Sequence, residues 1–326
     1  MANLRTSADL IDDVLFRAGE PTDGTSDFNA VALIYLNRAY SILWMGGGEF
    51  APNIQEDWWW LRKSTPGILT IQPGIDNTTT VSVTRGSTSI TFSAAPTPPI
   101  DASLASGWFF HVDDHADVFR ISTHTSGSTS ATLDSVYTGT TATGKSYSLY
   151  KLEYALATDV LKVVSPMRVY QDNRSEIDGV ALPALERDYP LNNIQAGVPR
   201  QFAFVGERKI RFSHKGSSVS GTLIRSEYDY LRRPSDLTDA TGEPLVPMQY
   251  RKTLADLALF YLHSDKNDDR AAGVGTMARS GIIAMARENR QRQAAMSREM
   301  GAILPRQQYL PKNAAPLRTE SGLIIG

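Results

Sequence analysis

Between about Gly67 and Leu152 the chain leaves the helical repeat of its two ends and reads as short alternating strands. This switch limits the fold more than any other feature. Thr, Ser and Gly dominate the stretch, and apolar residues recur every second position, which places them on one face of a strand. Ile68–Ile71, Thr80–Thr84, Ser89–Phe92, Trp108–Val112, Asp117–Ile121, Ser130–Leu133 and Ser146–Tyr150 are expected as strands, with Arg85-Gly86-Ser87 as a hairpin turn. Short strands at this spacing predict a small sandwich or barrel. A stretch of roughly 85 residues is long enough for its own core.

The flanking segments carry the 3.6-residue period instead. Thr6 and Asp9 form a capping-box start, and Leu10, Ile11, Val14, Leu15 and Ala18 follow at helical spacing until Gly19 and Pro21. A second helix is expected from Ser26 or Asp27, with Phe28, Val31, Ala32, Tyr35, Leu36, Ala39, Tyr40 and Leu43 as its apolar stripe and Gly46-Gly47-Gly48 as its end. The pair reads as an αα-hairpin. Near the other end, Pro247 suits a first helical turn, and Leu254, Leu257, Ala258, Tyr261 and Leu262 give a stripe. Asn267-Asp268-Asp269 breaks it. A long helix then runs from about Arg270 to Met300, near 45 Å at about 1.5 Å per residue. Gly273, Gly275 and Gly281 weaken that helix and let a neighbour approach closely.

Residues 153–243 are mixed. Glu153 to Ala157 leads into a strand at Val160–Val164, and Ile177–Val180 reads as a turn. Gln201–Val205, Lys209–Phe212 and Gly221–Tyr230 read as a meander that Arg232-Arg233-Pro234 ends. After Gly301 comes an arm spaced by Pro305, Pro311 and Pro316 with an apolar tip, Leu323-Ile324-Ile325-Gly326. Such an arm cannot fold alone, and its apolar tip suggests docking onto another chain. The expected class is α+β: a discontinuous helical bundle from N- and C-terminal helices, an inserted antiparallel β-barrel or sandwich, a second β meander and an extended C-terminal arm. The divisions fall at 1–60, 61–152, 153–243, 244–300 and 301–326.

A formal net charge of −2 hides an end-to-end asymmetry. Residues 1–57 hold three basic residues against nine acidic ones, a net of −6. Residues 270–326 hold nine basic against three acidic, a net of +6. Such a distribution suits head-to-tail subunit contacts or a charged docking surface, and equally two solvated helix faces. Cysteine is absent, so there is no disulfide, thiolate metal site or cysteine nucleophile. Met1–Ser7 has no apolar core, so no signal peptide is expected, and no apolar run approaches the roughly 20 residues of a membrane span.

Motifs for chemistry are missing. There is no P-loop, no G-x-S-x-G elbow and no H-E-x-x-H. On a continuous strand His111, Asp113 and His115 would share a face and offer three metal ligands, whereas the plainer reading is a strand end and polar turn. Gly273-Val274-Gly275 lacks the strand and third glycine of a dinucleotide loop, and Asn173-Arg174-Ser175 is a sequon by pattern alone. No cofactor, metal or enzymatic role is expected. Arg287, Arg290 and Arg298 lie near one helical face with no aromatic residue among them, which favours protein docking over stacking on single strands. Trp58-Trp59-Trp60 cannot all face one side, so at least one meets another element or another subunit. Trp108, Phe109 and Tyr137 support an alternative, a receptor- or carbohydrate-binding tail protein. A hydrolase is a third reading that lacks motifs.

The order of these parts resembles the adaptor, or head–tail connector, proteins of short-tailed phages. The residues carrying the likeness are Leu4–Ile11 with the Phe28–Tyr40 helix, Ser82–Phe92, Ala131–Gly139 leading to Tyr147 and Glu153–Leu156, and Tyr228–Pro234 followed by Leu245–Leu262. The likeness covers most of the chain. It implies a virion protein at the portal–tail junction, made in the host cytoplasm. It implies a ring, usually of twelve copies, below a dodecameric portal, with genomic DNA passing through without sequence-specific binding. Helices and C-terminal arms would face the portal and β domains the tail, nozzle or tail-fibre proteins, with no membrane partner. On this reading Arg287, Arg290, Arg298, Tyr309, Leu323, Ile324 and Ile325 are portal-docking candidates, and Asp12, Asp13, Trp58, Trp59 and Trp60 subunit-interface candidates. The long β insert departs from the smallest connectors.

Overall fold

A computed structural model describes residues 4–22, 27–50, 57–76, 79–97, 103–170, 174–217, 223–238 and 242–303. The chain begins with α1 (Ser7–Ala18) and α2 (Asp27–Trp44). Ten strands follow: β1 (Gly67–Ile71), β2 (Ile75–Asp76), β3 (Val81–Val83), β4 (Ser89–Phe92), β5 (Trp108–Val112), β6 (Val118–His124), β7 (Ser130–Leu133), β8 (Ala142–Lys145), β9 (Tyr147–Lys151) and β10 (Glu153–Ala155). Then come β11 (Val160–Tyr170), β12 (Arg174–Gly179), α3 (Leu182–Asp188), β13 (Gln201–Gly206), β14 (Lys209–Phe212) and β15 (Ile224–Arg232). The last helices are α4 (Arg251–Asp265) and α5 (Arg270–Ile303). The class is mixed α+β, with five described helices and two large curled sheets. The chain divides into two compact units, a helical one within residues 4–60 and 236–303 and a β-rich one at 61–235.

In the helical unit, α1 starts on a complete capping box. Thr6 Oγ1 accepts the Asp9 N–H and Asp9 Oδ2 accepts the Thr6 N–H at 2.8 Å. Leu10, Ile11, Val14 and Leu15 are buried. The α2 stripe is narrower than its sequence predicts. Ala32, Leu36, Ala39, Tyr40 and Leu43 are buried, but Phe28 and Val31 are exposed, because they fall outside the arc that faces α4. α4 is apolar or buried almost all round, the mark of a helix at the centre of its unit, and it packs against α1, α2 and α5. α5 has 34 residues and is about 51 Å long. Two of its glycines allow close packing: a Cβ at Gly281 would collide with Thr253, and one at Gly275 would meet the Phe260 ring. Gly273 faces open space. The returning chain is laced to the first helices. Asn37 and Leu237 exchange two hydrogen bonds at 2.7 and 3.0 Å, and Tyr40 Oη accepts the Leu245 N–H at 3.0 Å.

The β unit contains two sheets. One has eight strands in the order β2-β9-β5-β6-β7-β4-β3-β8, with every pair antiparallel. β2 and β3 follow one another in the chain and pair with β9 and β8, which also follow one another, so the sheet curls back on itself as a small near-barrel. Its interior holds Val81, Val83, Ile90, Phe92, Trp108, Phe110, Tyr147 and Leu149. Burying that much aliphatic and aromatic surface is the main force holding such a barrel together. β8, with its Ala-Thr-Gly-Lys sequence and exposed pattern, has no strand signal in the sequence.

The other sheet has seven strands in the order β1-β15-β11-β12-β13-β14-β10. Three expectations are corrected here. β1, grouped by texture with the insert, pairs with β15 of this second sheet. Ile177–Val180 is no turn: β12 runs through Ile177, which is buried and pairs with Met167. The expected meander does not form either. β13 and β14 make a hairpin, but β15 lies between β1 and β11. β11 is 11 residues long and takes β15 on one edge and β12 on the other. Its register shifts between Val164 and Arg168, where Pro166 has no N–H for the ladder. β12 and β13 are parallel, joined by a crossover that includes α3. The chain after β1 bonds to the chain after β14, through Gly74 N–H to Gly216 O and Gly216 N–H to Gln72 O, so this sheet curls as well.

Candidate docking surfaces and a buried charge cluster

The hairpin α1–α2 presents apolar and acidic groups on its outer side. Phe16 is 77% exposed and Ile34 65%, and Phe28, Val31 and Met45 are also exposed. Asp12 precedes Phe16 by one turn, and Asp27, Val31 and Ile34 share one face of α2. Of the two acidic candidates, Asp13 is committed to Arg17 at 3.2 Å, and Arg17 also reaches Asp256 at 2.6 Å. Asp12 is exposed and makes no ion pair among the described residues. Phe16 was missed in the sequence because it lies off the apolar stripe of α1. That position was itself the signal, since an aromatic residue off the buried stripe must face outward.

The three tryptophans, subunit-interface candidates in the sequence, all make contacts within the helical unit. Trp58 and Trp60 are buried inside the helical unit with rings 6.5 Å apart, and Trp58 Nε1 donates to Leu43 O at 2.8 Å. Trp59 retains partial exposure, but its N–H donates to Asn289 Oδ1 at 3.0 Å and Arg292 stacks over its ring at 4.2 Å. Trp59 therefore clasps α5 while Trp58 and Trp60 fill the interior of the helical unit.

On α5, Arg279, Arg287 and Arg290 are exposed and lie within one half of the helix circumference. Neither Arg279 nor Arg287 makes an ion pair among the described residues. Arg292 differs: it pairs with Glu288 at 2.6 Å. The same Glu288 accepts from Tyr250, and burial together with that carboxylate pushes the Tyr250 phenol up to about 12. The side chain of Arg298, and all of Tyr309, Leu323, Ile324 and Ile325, lie outside the described residues.

The metal reading of His111, Asp113 and His115 fails on backbone geometry. β5 ends at Val112, and Asp114 takes φ of 68°, so the chain turns before His115. His111 Nε2 instead pairs with the His115 carbonyl oxygen at 2.7 Å, and His115 packs against Tyr137. Among the described residues no group of three or more His, Cys, Asp or Glu is placed to hold a metal ion. Trp108, Phe109 and Tyr137, the aromatic residues of the carbohydrate-binding reading, are all buried and offer no platform. His214 lines a cleft of 460 Å³, and the buried Ser213 Oγ lies 2.9 Å from its Nδ1. That hydroxyl already accepts the N–H groups of Arg200 and Gln201 at 2.9 and 3.1 Å, so it caps a strand end rather than attacks a substrate. Burial, then the charge of Arg200, keep His214 below the usual imidazole value.

The most concentrated electrostatics sit where the two sheets of the β unit meet. Glu153, 1% exposed, holds three cations: Arg120 at 2.6 Å, Arg211 at 2.8 Å and Lys209 at 3.1 Å. Arg211 also reaches Glu186 of α3 at 2.6 Å. Arg120 and Arg211 both lie over the Phe109 ring, at 5.4 and 5.5 Å, and Phe109 stacks on Tyr150. Burial alone would raise the Glu153 carboxyl. The bonds from Arg211 and Lys209 and the charge of Arg120 outweigh it and hold the group below the usual range. Gly107 is required beside the cluster, because at its φ of 92° a Cβ would strike the Glu153 carbonyl. Five charged side chains from β6, β10, β14 and α3 thus pin the sheets together. Next to them is an open cleft of 650 Å³, lined by Asp117, Val118, Ser135, Val136, Glu186 and Asn192 among others. No described helix is long and apolar enough to cross a membrane. Compared with known family models and with curated proteins, the chain has no match.

Proposed function

We propose that the chain is a structural virion protein, a ring-forming adaptor that joins a phage portal to a short tail and lines part of the DNA channel. The observation that carries the reading is the order of its parts. Helices from both ends of the chain share one unit, and the two β sheets are inserted between them. This order, helices at both ends of the chain around a β-rich middle, is the one on which the resemblance to head–tail connectors rests. The exposed apolar residues of α1 and α2 add to it, since a protein that works alone rarely leaves such a surface open. The basic arm beyond residue 300 provides the portal-facing contacts. The β unit, locked internally by its charge cluster, is offered to the tail.

The test is binding to the cognate portal by the full chain and by a chain lacking residues 301–326. The full chain should form a ring on the portal, visible by cryo-electron microscopy, and the truncation should weaken binding about tenfold or more. Unchanged affinity removes the arm from the mechanism. A full-length chain that never binds portal removes the adaptor reading.

A further inference from the structure

We infer that the outer face of the α1–α2 hairpin in one copy binds the cationic outer face of α5 in the next copy. This deepens the ring reading and rests on it for the closure of the contacts.

Both faces belong to the helical unit, and each is incomplete in a complementary way. On the hairpin, Phe16 and Ile34 stand out of the surface with Val31 beside Ile34 on the same helical face. The acids around them sort into two groups. Asp9 closes the capping box, Asp13 binds Arg17, and Glu20 binds Lys266 at 2.6 Å. Asp12 and Asp27 make no ion pair among the described residues, and they sit on the faces that carry Phe16 and Ile34. On α5, Arg270 is held by Asp268 at 2.6 Å and Arg292 by Glu288. Arg279 and Arg287 are exposed without an ion pair among the described residues and lie on one side of the helix. Two uncompensated anions among apolar groups on one face thus match two uncompensated cations on the other.

The charge pattern also selects the symmetry. A two-fold contact between hairpins would set Asp12 and Asp27 against their own kind, and a two-fold contact between α5 faces would oppose arginines. The hairpin of one copy against α5 of the next avoids both. Such a contact is heterologous, leaves one free face of each type at every step, and ends only when a ring closes.

The experiment uses the full chain and follows its mass by sedimentation and native mass spectrometry, alone and with portal, at low and high salt. One variant carries D12K and D27K, a second R279E and R287E, and a third all four changes. Each double reversal should weaken association about tenfold or more. An equimolar mixture of the two should assemble again, alternating around the ring, and so should the fourfold variant. F16S should weaken assembly without lowering thermal stability, because the ring is not part of the core. Wild-type assembly should also loosen as salt rises. Wild-type-like assembly by both double variants overturns this interface and leaves the ring reading standing. So does a mixture that stays dissociated while circular dichroism shows both variants folded. A wild-type chain that stays monomeric alone and on portal overturns both.

Discussion

The β unit gathers its densest charges into one buried, compensated cluster, while the α1–α2 hairpin of the helical unit leaves Asp12, Asp27 and several apolar side chains exposed. Glu153 is almost fully buried with three cations on it, whereas Asp12 and Asp27 lie open with no described partner. Exposed large apolar side chains follow the same division. Phe16, Phe28, Val31, Ile34, Met45, Met248 and Met277 belong to the helical unit, against Ile68, Val136, Leu161 and Phe204 in the β unit. A buried charge binds its surroundings tightly, because water cannot replace a lost partner. An exposed charge contributes almost nothing to the isolated fold and remains free to meet another molecule. The contrast separates what holds this protein together from what it offers to others.

The strongest way to break that contrast is Glu153→Ala. It would leave Arg211, with a side chain only 5% exposed, beside Arg120 and Lys209 with no central anion. The loss should be about 3–5 kcal/mol, read from urea unfolding of the β unit by circular dichroism. D12K with D27K should shift unfolding of the helical unit by about 1 kcal/mol at most, most of it from the cation placed in the first turn of α2. Equal shifts would mean that burial does not distinguish the two sets of charges. The acid limb carries a second readout. The folded Glu153 carboxyl lies below its unfolded value of about 4.3. Its contribution is therefore complete above about pH 4.3 and fades as pH falls through the folded value. Below about pH 4 wild type should lose stability more steeply than E153A, which has no such group to protonate.

A smaller test stays within the helical unit and contrasts two glycines of α5. Gly281→Ala drives a methyl into Thr253 of α4 and should cost about 1–3 kcal/mol. Adding T253A removes the colliding hydroxyl and methyl and should restore part of the loss. Gly273→Ala meets nothing and should stabilise the helix by about 0.5–1 kcal/mol. Thermal melts of the three variants check the signs. A stabilising G281A would show that α4 and α5 have room between them.

How much of this is written in the sequence depends on whether the signal is local. The capping box at Thr6 and Asp9, the glycine stop after α2 and the long α5 were all readable, because each is set by residues within a turn or two. Alternation marked β3, β4 and β7 for the same reason. Pairing was not readable. Nothing within β1 or β15 tells that they are neighbours across more than 150 residues, and β12 hid behind a polar sequence whose one buried apolar residue is Ile177. The surface was half legible. Charge asymmetry pointed to both ends of the chain, yet which charges are spent inside the unit depends on tertiary partners such as Asp256 for Arg17 and Trp59 for Arg292. The Glu153 cluster draws on β6, β10, β14 and α3, and no spacing along the chain announces it.

The smallest expected effect is also the most discriminating about how separate the two units are. Thr6→Ala removes one of the two reciprocal bonds that start α1, since Thr6 Oγ1 accepts the Asp9 N–H at 3.2 Å. Asp9 Oδ2 would still accept the N–H groups of Arg5 and Thr6, at 3.0 and 2.8 Å. Only half of the box is lost, so the cost should fall near 1 kcal/mol or below. A melt reads the total, and amide exchange shows where in the chain it falls. Protection in α1 should drop about fivefold, because 1 kcal/mol of opening free energy corresponds to roughly that factor. Amides of the near-barrel, in β4 to β7, should not change. If they lose protection by the same factor, the two units open together, and the division between a self-contained β unit and an open helical one holds only for their surfaces and not for their stability.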